Sequence, residues 1–101
     1  EPFRFAEPNG GKASFKNYLV NAVKYPQEAI HNKVEGRVTV RFTVQPSGQL
    51  TDFEIVKGIG SGCDEELIRA IQQGPAWRPS SRGDEALPDK VRVRYRFELP
   101  K

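Results

Sequence analysis

The feature that most constrains the fold is the segment 37–45, in which polar and apolar residues alternate without exception. Its apolar members are Val38, Val40, Phe42 and Val44. Successive side chains of a β-strand point to opposite faces, so this alternation predicts a strand with one buried face. Pro46, Ser47 and Gly48 follow it and favour a turn, after which a second, antiparallel strand is expected.

The other segments predict helices and one further strand. Apolar residues at helical spacing, such as Phe15 and Leu19, favour a first helix, and Pro26 suits the first position of a short second helix. The predicted helices cover about residues 13–23, 26–32 and 64–73, and the predicted strands about residues 36–45, 50–56 and 90–99. An irregular connection is expected between the third helix and the last strand, at residues 77–89.

These elements predict an α+β fold with two to three helices packed on one face of a three-stranded antiparallel sheet. A short turn joins the first two strands, and the third helix carries the chain across the first strand. The expected strand order is therefore 2-1-3.

The two faces of the first hairpin also predict its register. Apolar and charged positions match when Phe42 pairs with Phe53, Val40 with Ile55, Arg41 with Glu54 and Thr43 with Asp52. In that register Leu50 and Val56 point away from the core. A β-bulge and cover by Phe3 and Phe5 are two open explanations.

The last predicted strand lies at an edge of this sheet. It contains no proline between Lys90 and Leu99, so its outer N–H and C=O groups are open to pairing with another strand. Its outward residues are Lys90, Arg92, Arg94 and Arg96. Such charges guard an edge against aggregation, and the same edge can receive an extended peptide.

Size and composition indicate one soluble domain. The 101 residues carry a net charge of +3, and no apolar run approaches the roughly 20 residues that a membrane-spanning helix needs. The start of the sequence lacks the pattern of a signal peptide, so any membrane anchor is expected outside this chain. The single cysteine excludes an internal disulfide.

Candidate chemistry is weak throughout. The glycine-rich segment 58–62 precedes a helix, where a phosphate group could bind. However, the lysine of a P-loop is absent, and the acidic segment 64–66 would repel an anion. A tight turn between strand and helix is therefore favoured. Acidic neighbours raise the pKa of a thiol, so Cys63 is predicted to be a small residue that is buried or next to a helix cap. His31 lies near the end of a short predicted helix and is expected to be exposed. The acidic segments 64–66 and 84–85 are expected to be solvated. No catalytic residue, metal site or cofactor is predicted.

Two features allow a partner as well as a structural role. Trp77 lies between prolines and is expected to fill the edge of the core, with an exposed anchor as the alternative. Six basic residues would share the outward face of the sheet: Arg37, Arg41, Lys90, Arg92, Arg94 and Arg96. Their role is either a solvated face or contact with an acidic partner or anionic surface. Nucleic acid is disfavoured, because the Tyr and Phe residues that accompany them point inward and offer no stacking platform.

The order of several motifs resembles the C-terminal periplasmic domain of TonB-type energy transducers and, more distantly, that of TolA. The motifs are Tyr25-Pro26, Glu35-Gly36-Arg37-Val38, the segment 58–66, Trp77-Arg78-Pro79 and the closing segment 91–97. The upstream Gly10-Gly11 and Tyr18-Leu19 are similar to the version found in Bacteroidetes-type bacteria. The resemblance covers about residues 9–99. It divides the chain into an extended N-terminal segment, 1–11, and a TonB C-terminal-like domain, 12–101.

The resemblance implies a non-enzymatic periplasmic domain of a protein anchored in the inner membrane of a Gram-negative bacterium. Such a domain captures the TonB box of outer-membrane transporters as an added strand. It transmits energy from an inner-membrane proton-driven motor, engaged by regions outside this chain, for nutrient uptake. The residues implied as partner-binding are Lys24, Tyr25, Pro26, Val91, Arg92, Val93, Arg94, Tyr95, Arg96 and Phe97.

Three alternatives stay open at the level of sequence. The same binding domain serves a membrane signalling or regulatory peptidase protein in some bacteria. Strand exchange between two copies would form a homodimer. An enzyme is the weakest alternative, because no nucleophile and base can be assembled.

Overall fold

A computed structural model describes residues 3–99 of the chain. Its helices are α1 (Gly11–Ala22), α2 (Gln27–His31) and α3 (Cys63–Gln72). Its strands are β1 (Phe3–Arg4), β2 (Glu7–Pro8), β3 (Gly36–Val44), β4 (Leu50–Lys57), β5 (Trp77–Arg78), β6 (Ser80–Arg82), β7 (Glu85–Leu87) and β8 (Asp89–Phe97). The parts of the predicted segments that fall on residues 1–2 and 100–101 lie outside the described residues.

The predicted α+β class is confirmed, and the main sheet has the order β4-β3-β8. Both neighbours run antiparallel to the central strand β3. Pairing between β3 and β8 is continuous over nine residue pairs, from Gly36 with Phe97 to Val44 with Asp89. The apolar face of β3 is fully buried, as its alternation predicts. Among the described residues, β8 has no hydrogen-bonded neighbour on its other side.

Two register shifts interrupt the pairing of β3 and β4, one between Thr39 and Val40 and one between Arg41 and Thr43. Val40 pairs with Ile55 and Arg41 with Glu54, as predicted, but Thr43 pairs with Thr51 and not with Asp52. Asp52 takes a left-handed φ of 56°, which marks the extra residue of a β-bulge. The second shift lets Leu50 face Val44 and pack against the core.

The alternation of the second predicted strand places Phe53 and Ile55 in the core, but Ile55 is 42% exposed, so that prediction is wrong for Ile55. The second open explanation, cover by the N-terminal aromatic residues, does not hold either. Phe3 and Phe5 do not cover the hairpin. They are exposed and pack edge to face on each other, with ring centroids 5.0 Å apart.

The connection predicted as irregular contains three short strands. β6 and β7 form a hairpin, and β1 pairs with the outer side of β6. β2 pairs with β5, which places Pro8 beside Trp77. Asp89 accepts a hydrogen bond from the Ser80 hydroxyl, and this bond links the hairpin to the start of β8.

The core lies between the helices and the inner face of the main sheet. Trp77 is buried there, with its ring 5.2 Å from the rings of both Phe15 and Phe42, and the interpretation of this residue as part of the core is confirmed. Cys63 is also buried at the first turn of α3. No helix in the described part of the chain is both long and apolar enough to cross a membrane.

Candidate functional site

A long groove runs beside the free edge of β8. One wall is β8 itself, from Asp89 to Arg96, and the other is one side of α1. The end of the groove is formed by residues of the N-terminal segment together with Trp77. Its volume is about 860 Å³. The groove therefore combines an unpaired strand edge with a helix that would cover an added strand.

The helical wall follows from the spacing of residues on α1. Phe15 and Leu19 are buried against the core, and they anchor the helix. Lys12, Lys16 and Val20 recur every four residues, so they form one row along the helix. That row is exposed and lines the groove, with Val20 59% exposed.

The alternation of β8 divides its side chains between two faces. Val93 and Phe97 are buried and Val91 and Tyr95 are half-buried, so these four side chains face the core. The outward residues Lys90, Arg92, Arg94 and Arg96 are exposed. Burial raises the pKa of the Tyr95 hydroxyl, which stays neutral at physiological pH.

The Tyr-Pro turn lies at the far end of β8. The ring of Tyr25 meets that of Phe97 edge to face at 5.4 Å, and its hydroxyl donates a hydrogen bond to the Val34 carbonyl. Burial raises the pKa of Tyr25, with smaller contributions from Cys63 and Glu35, so the hydroxyl is a donor throughout the neutral range.

A second, smaller depression surrounds this turn, with a volume of about 440 Å³. It is lined by Lys24, Tyr25, Pro26, Gly62, Glu65, Glu66 and Arg69. The Lys24 backbone N–H donates to Glu66 Oε2 at 2.7 Å, and Arg69 forms an ion pair with the same carboxylate at 2.6 Å. Hydrogen bonding from Arg69 lowers the pKa of Glu66, which is therefore ionised at neutral pH.

The predicted site residues thus fall in two places. Val91 to Arg96 line the long groove, whereas Lys24, Tyr25 and Pro26 line the smaller depression, and Phe97 joins the two through its contact with Tyr25. The helical wall of the groove was missed, although the repeat of Lys12, Lys16 and Val20 at four-residue spacing was visible in the sequence. The residues that close one end of the groove were also missed, because no pattern in the neighbouring sequence indicates this position. They are Phe5, Ala6 and Pro8.

The glycine-rich loop before α3 is filled by a side chain of the chain itself. The Asp64 carboxylate accepts hydrogen bonds from the N–H groups of Ile59 at 2.9 Å and Gly60 at 3.3 Å. A side chain at Gly58 would clash with this carboxylate. The tight-turn interpretation is supported, because Asp64 already occupies donors that an anion would need. The prediction that 64–66 is solvated is wrong for Asp64, which is buried.

The remaining candidates carry no chemistry of their own. Burial and the charges of Asp64 and Glu65 raise the pKa of Cys63, so the thiol is not activated. His31 is exposed at the end of α2, as expected. No cluster of three potential metal ligands occurs within residues 3–99.

Comparison of the sequence with models of known protein families identifies the family of this chain. Residues 21–99 match the model described as the C-terminal region of Gram-negative bacterial TonB proteins. The chain belongs to the TonB C-terminal domain family.

Solved structures share the fold of this TonB C-terminal domain. The solution structure of the Helicobacter pylori TonB C-terminal domain (residues 179–285) is 20% identical, with a TM-score of 0.65, over 92% of this chain and 88% of that one. The Pseudomonas aeruginosa TonB C-terminal domain is 25% identical, with a TM-score of 0.59, over 77% and 79%. No curated protein matches the chain.

Proposed function

We propose that this domain is a periplasmic, non-enzymatic binding module that captures the TonB box of outer-membrane transporters as an added strand along β8. It transmits inner-membrane proton-motive energy to those transporters, through an anchor and motor contacts outside this chain. The single observation that carries the proposal is the unpaired edge of β8 within the described residues, facing a groove of about 860 Å³.

Strand addition suits this groove because the added segment gains two kinds of contact. Main-chain hydrogen bonds to β8 supply affinity that does not depend on the guest sequence. Side chains of the guest on the inner face would meet α1, where Val20 and the aliphatic stems of Lys12 and Lys16 line the opposite wall. One domain can therefore serve several transporters with different sequences.

The same geometry suits the transmission of force. Hydrogen bonds between antiparallel strands run perpendicular to the strands, so a pull along the guest loads many bonds at once. β8 is nine residues long and is paired with β3 over its whole length. The load would therefore pass from the guest into the centre of the main sheet.

The Tyr-Pro turn is proposed as the second contact of the same guest. Tyr25 lies against Phe97 at the end of β8, so a segment that leaves the groove at that end reaches Lys24, Tyr25 and Pro26 next. The Tyr25 hydroxyl is already bonded to Val34, so the guest would contact the ring and the proline and not the hydroxyl.

A titration of the isotope-labelled domain with a TonB-box peptide tests the proposal. We expect amide chemical-shift changes in residues 89–97 and in the groove side of α1. The absence of shifts in residues 89–97 at millimolar peptide would contradict strand capture.

Backbone methylation of the peptide separates strand addition from side-chain docking. Alternate N–H groups of an added strand point to the partner strand and to solvent. Of two peptides methylated on alternate amides, one should lose more than tenfold in affinity and the other should bind like the unmodified peptide. Equal affinities for both would rule out pairing with β8.

A further inference from the structure

The outward face of the main sheet carries a basic row of unusual density. Its members are Arg37, Arg41, Lys90, Arg92, Arg94 and Arg96. The register of β3 and β8 places Arg37 directly opposite Arg96, and Arg41 directly opposite Arg92. Like charges opposite each other on a sheet destabilise the pair, so this face gains from added negative charge.

The chain neutralises only part of this row. Arg41 forms an ion pair with Glu54 at 2.6 Å, and Arg96 with Glu98 at 2.9 Å. The remaining four cations have no ion-pair partner among residues 3–99: Arg37, Lys90, Arg92 and Arg94. Lys90 and Arg92 add to the effect of Arg41 in lowering the pKa of Glu54, which shows that a carboxylate beside the row is favoured.

The groove beside β8 is positively charged, like the basic row. Seven of its lining residues are basic, since Lys12 and Lys16 of α1 add to five members of the row, and Asp89 is the single acidic one. Asp89 accepts a hydrogen bond from Ser80 at the start of β8, away from Arg92, Arg94 and Arg96. An extended guest in this groove would therefore have the cations of β8 along its outward side, and Val20 together with the two lysines of α1 on its inner side.

We propose that the groove selects an extended peptide in which acidic and apolar residues alternate, with the carboxylates beside Lys90, Arg92, Arg94 and Arg96. The inference rests on the proposed function, because it requires a guest strand on β8. The period of two follows from strand geometry, since alternate guest side chains fall on the outward face and on the face toward α1. The guest thus supplies the charges that this sheet face lacks.

Three nine-residue peptides test the selection, each with valine at alternate positions and with Glu, Thr or Lys between them. Fluorescence anisotropy at about 50 mM salt should show that the Glu peptide binds most tightly, the Thr peptide less tightly and the Lys peptide least. The affinities of the Glu and Thr peptides should differ about tenfold, because each of several opposite-charge pairs across the strands contributes part of the difference. At about 500 mM salt the differences should shrink, because the charges are exposed and screened.

Charge reversal of the edge gives the matched control. The double variant Arg92→Glu/Arg94→Glu should invert the order, so that the Lys peptide binds best. The variant Lys33→Glu/Lys57→Glu has the same net charge but changes exposed residues outside the groove, and it should keep the original order.

The outcomes separate the inference from the proposed function. Equal affinities of the three peptides, mapped to residues 89–97 by amide shifts, would overturn the charge selection and leave strand capture intact. No binding by any of the three peptides at millimolar concentration would overturn both. Tighter binding of a single-stranded oligonucleotide than of the Glu peptide to the same residues would overturn the assignment of a peptide.

Discussion

At the scale of single residues, Asp64 organises the loop between β4 and α3. Its carboxylate is buried and accepts hydrogen bonds from the N–H groups of Ile59 and Gly60. Gly58 is required beside it, because a side chain there would clash with the carboxylate. The glycine-rich loop, whose sequence is compatible with phosphate binding, thus binds a carboxylate of the same chain.

The variant Asp64→Ala should be less stable than the wild type by about 2 kcal/mol, because two half-buried N–H groups lose their acceptor. Urea unfolding at pH 7 measures the loss. The neighbouring Glu65→Ala changes an exposed side chain of the same helical turn and should shift stability by less than about 0.5 kcal/mol. Equal effects of the two variants would contradict the role given to Asp64.

Glu66 links the end of α1 to α3, and its contribution should depend on pH. Its pKa is lowered in the folded protein, first by the hydrogen bond from Arg69 and then by the Lys24 N–H. A lowered pKa gives stability that is present at neutral pH and is lost as the pH falls through the lowered, folded-state pKa. The Glu66 side chain is 14% exposed and that of Arg69 39%, so solvent screens part of the pair.

The variant Glu66→Gln should therefore lose about 1 kcal/mol of stability at pH 7, and this loss should shrink as the pH falls and the wild-type carboxylate becomes protonated. Unfolding by urea over a series of pH values from neutral to acidic tests this change. Glu65→Gln, on the exposed side of the same turn, should show no such change. A Glu66→Gln deficit that stays equally large at every pH would show that packing, and not charge, is responsible.

At the scale of elements, the N-terminal segment is tied to the hairpin that precedes β8. β1 pairs with β6, β2 pairs with β5, and the Ala6 N–H donates to the Ser80 hydroxyl at 2.9 Å. The Arg78 side chain also forms an ion pair with Glu7. These contacts join residues that are distant in sequence, and they close one end of the groove.

Deletion of residues 1–8 should loosen the β6–β7 hairpin and leave the main sheet folded, because β3 pairs with β4 and β8 independently of the N-terminal segment. Hydrogen exchange should become faster at residues 80–87 and stay slow in β3. Deletion of residues 1–2 alone is the control, because it keeps all of the pairing described for residues 3–8. Unchanged exchange in the hairpin after the longer deletion would contradict this linkage.

The same elements show what the sequence can and cannot predict. The alternation in β3 and β8 predicts both strands, and helical spacing and proline place the helices within one or two residues. The hairpin of β6 and β7 was missed, because its strands are three residues long and lack alternation, and because β6 pairs with residues near the start of the chain. The sequence leaves two explanations for the outward position of Leu50 and Val56, a bulge and cover by aromatic residues. Only the packing of the folded chain decides between them, and it places a bulge at Asp52.

For the candidate site, the sequence predicts one wall of the groove and not the other. The edge position of β8 follows from connection lengths, and its charges follow from the alternation. That α1 lies beside the same edge depends on the packing of Phe15 against Trp77 and of Trp77 against Phe42, contacts that no local pattern specifies.

At the scale of the whole molecule, the proposed function depends on one property, an edge of β8 that is free in the isolated domain and occupied in the complex. In an antiparallel edge strand, alternate N–H groups point to the partner strand and to solvent. The amides of β8 that face β3 should therefore be protected from exchange, and those that face the groove should exchange freely.

Residue-resolved hydrogen exchange across Asp89–Phe97, with and without an excess of a TonB-box peptide, measures this property most directly. We expect an alternating pattern of slow and fast amides in the free domain and uniformly slow exchange in the complex. Uniform protection of β8 in the free domain, or an alternating pattern that the bound peptide leaves unchanged, would contradict the proposed function.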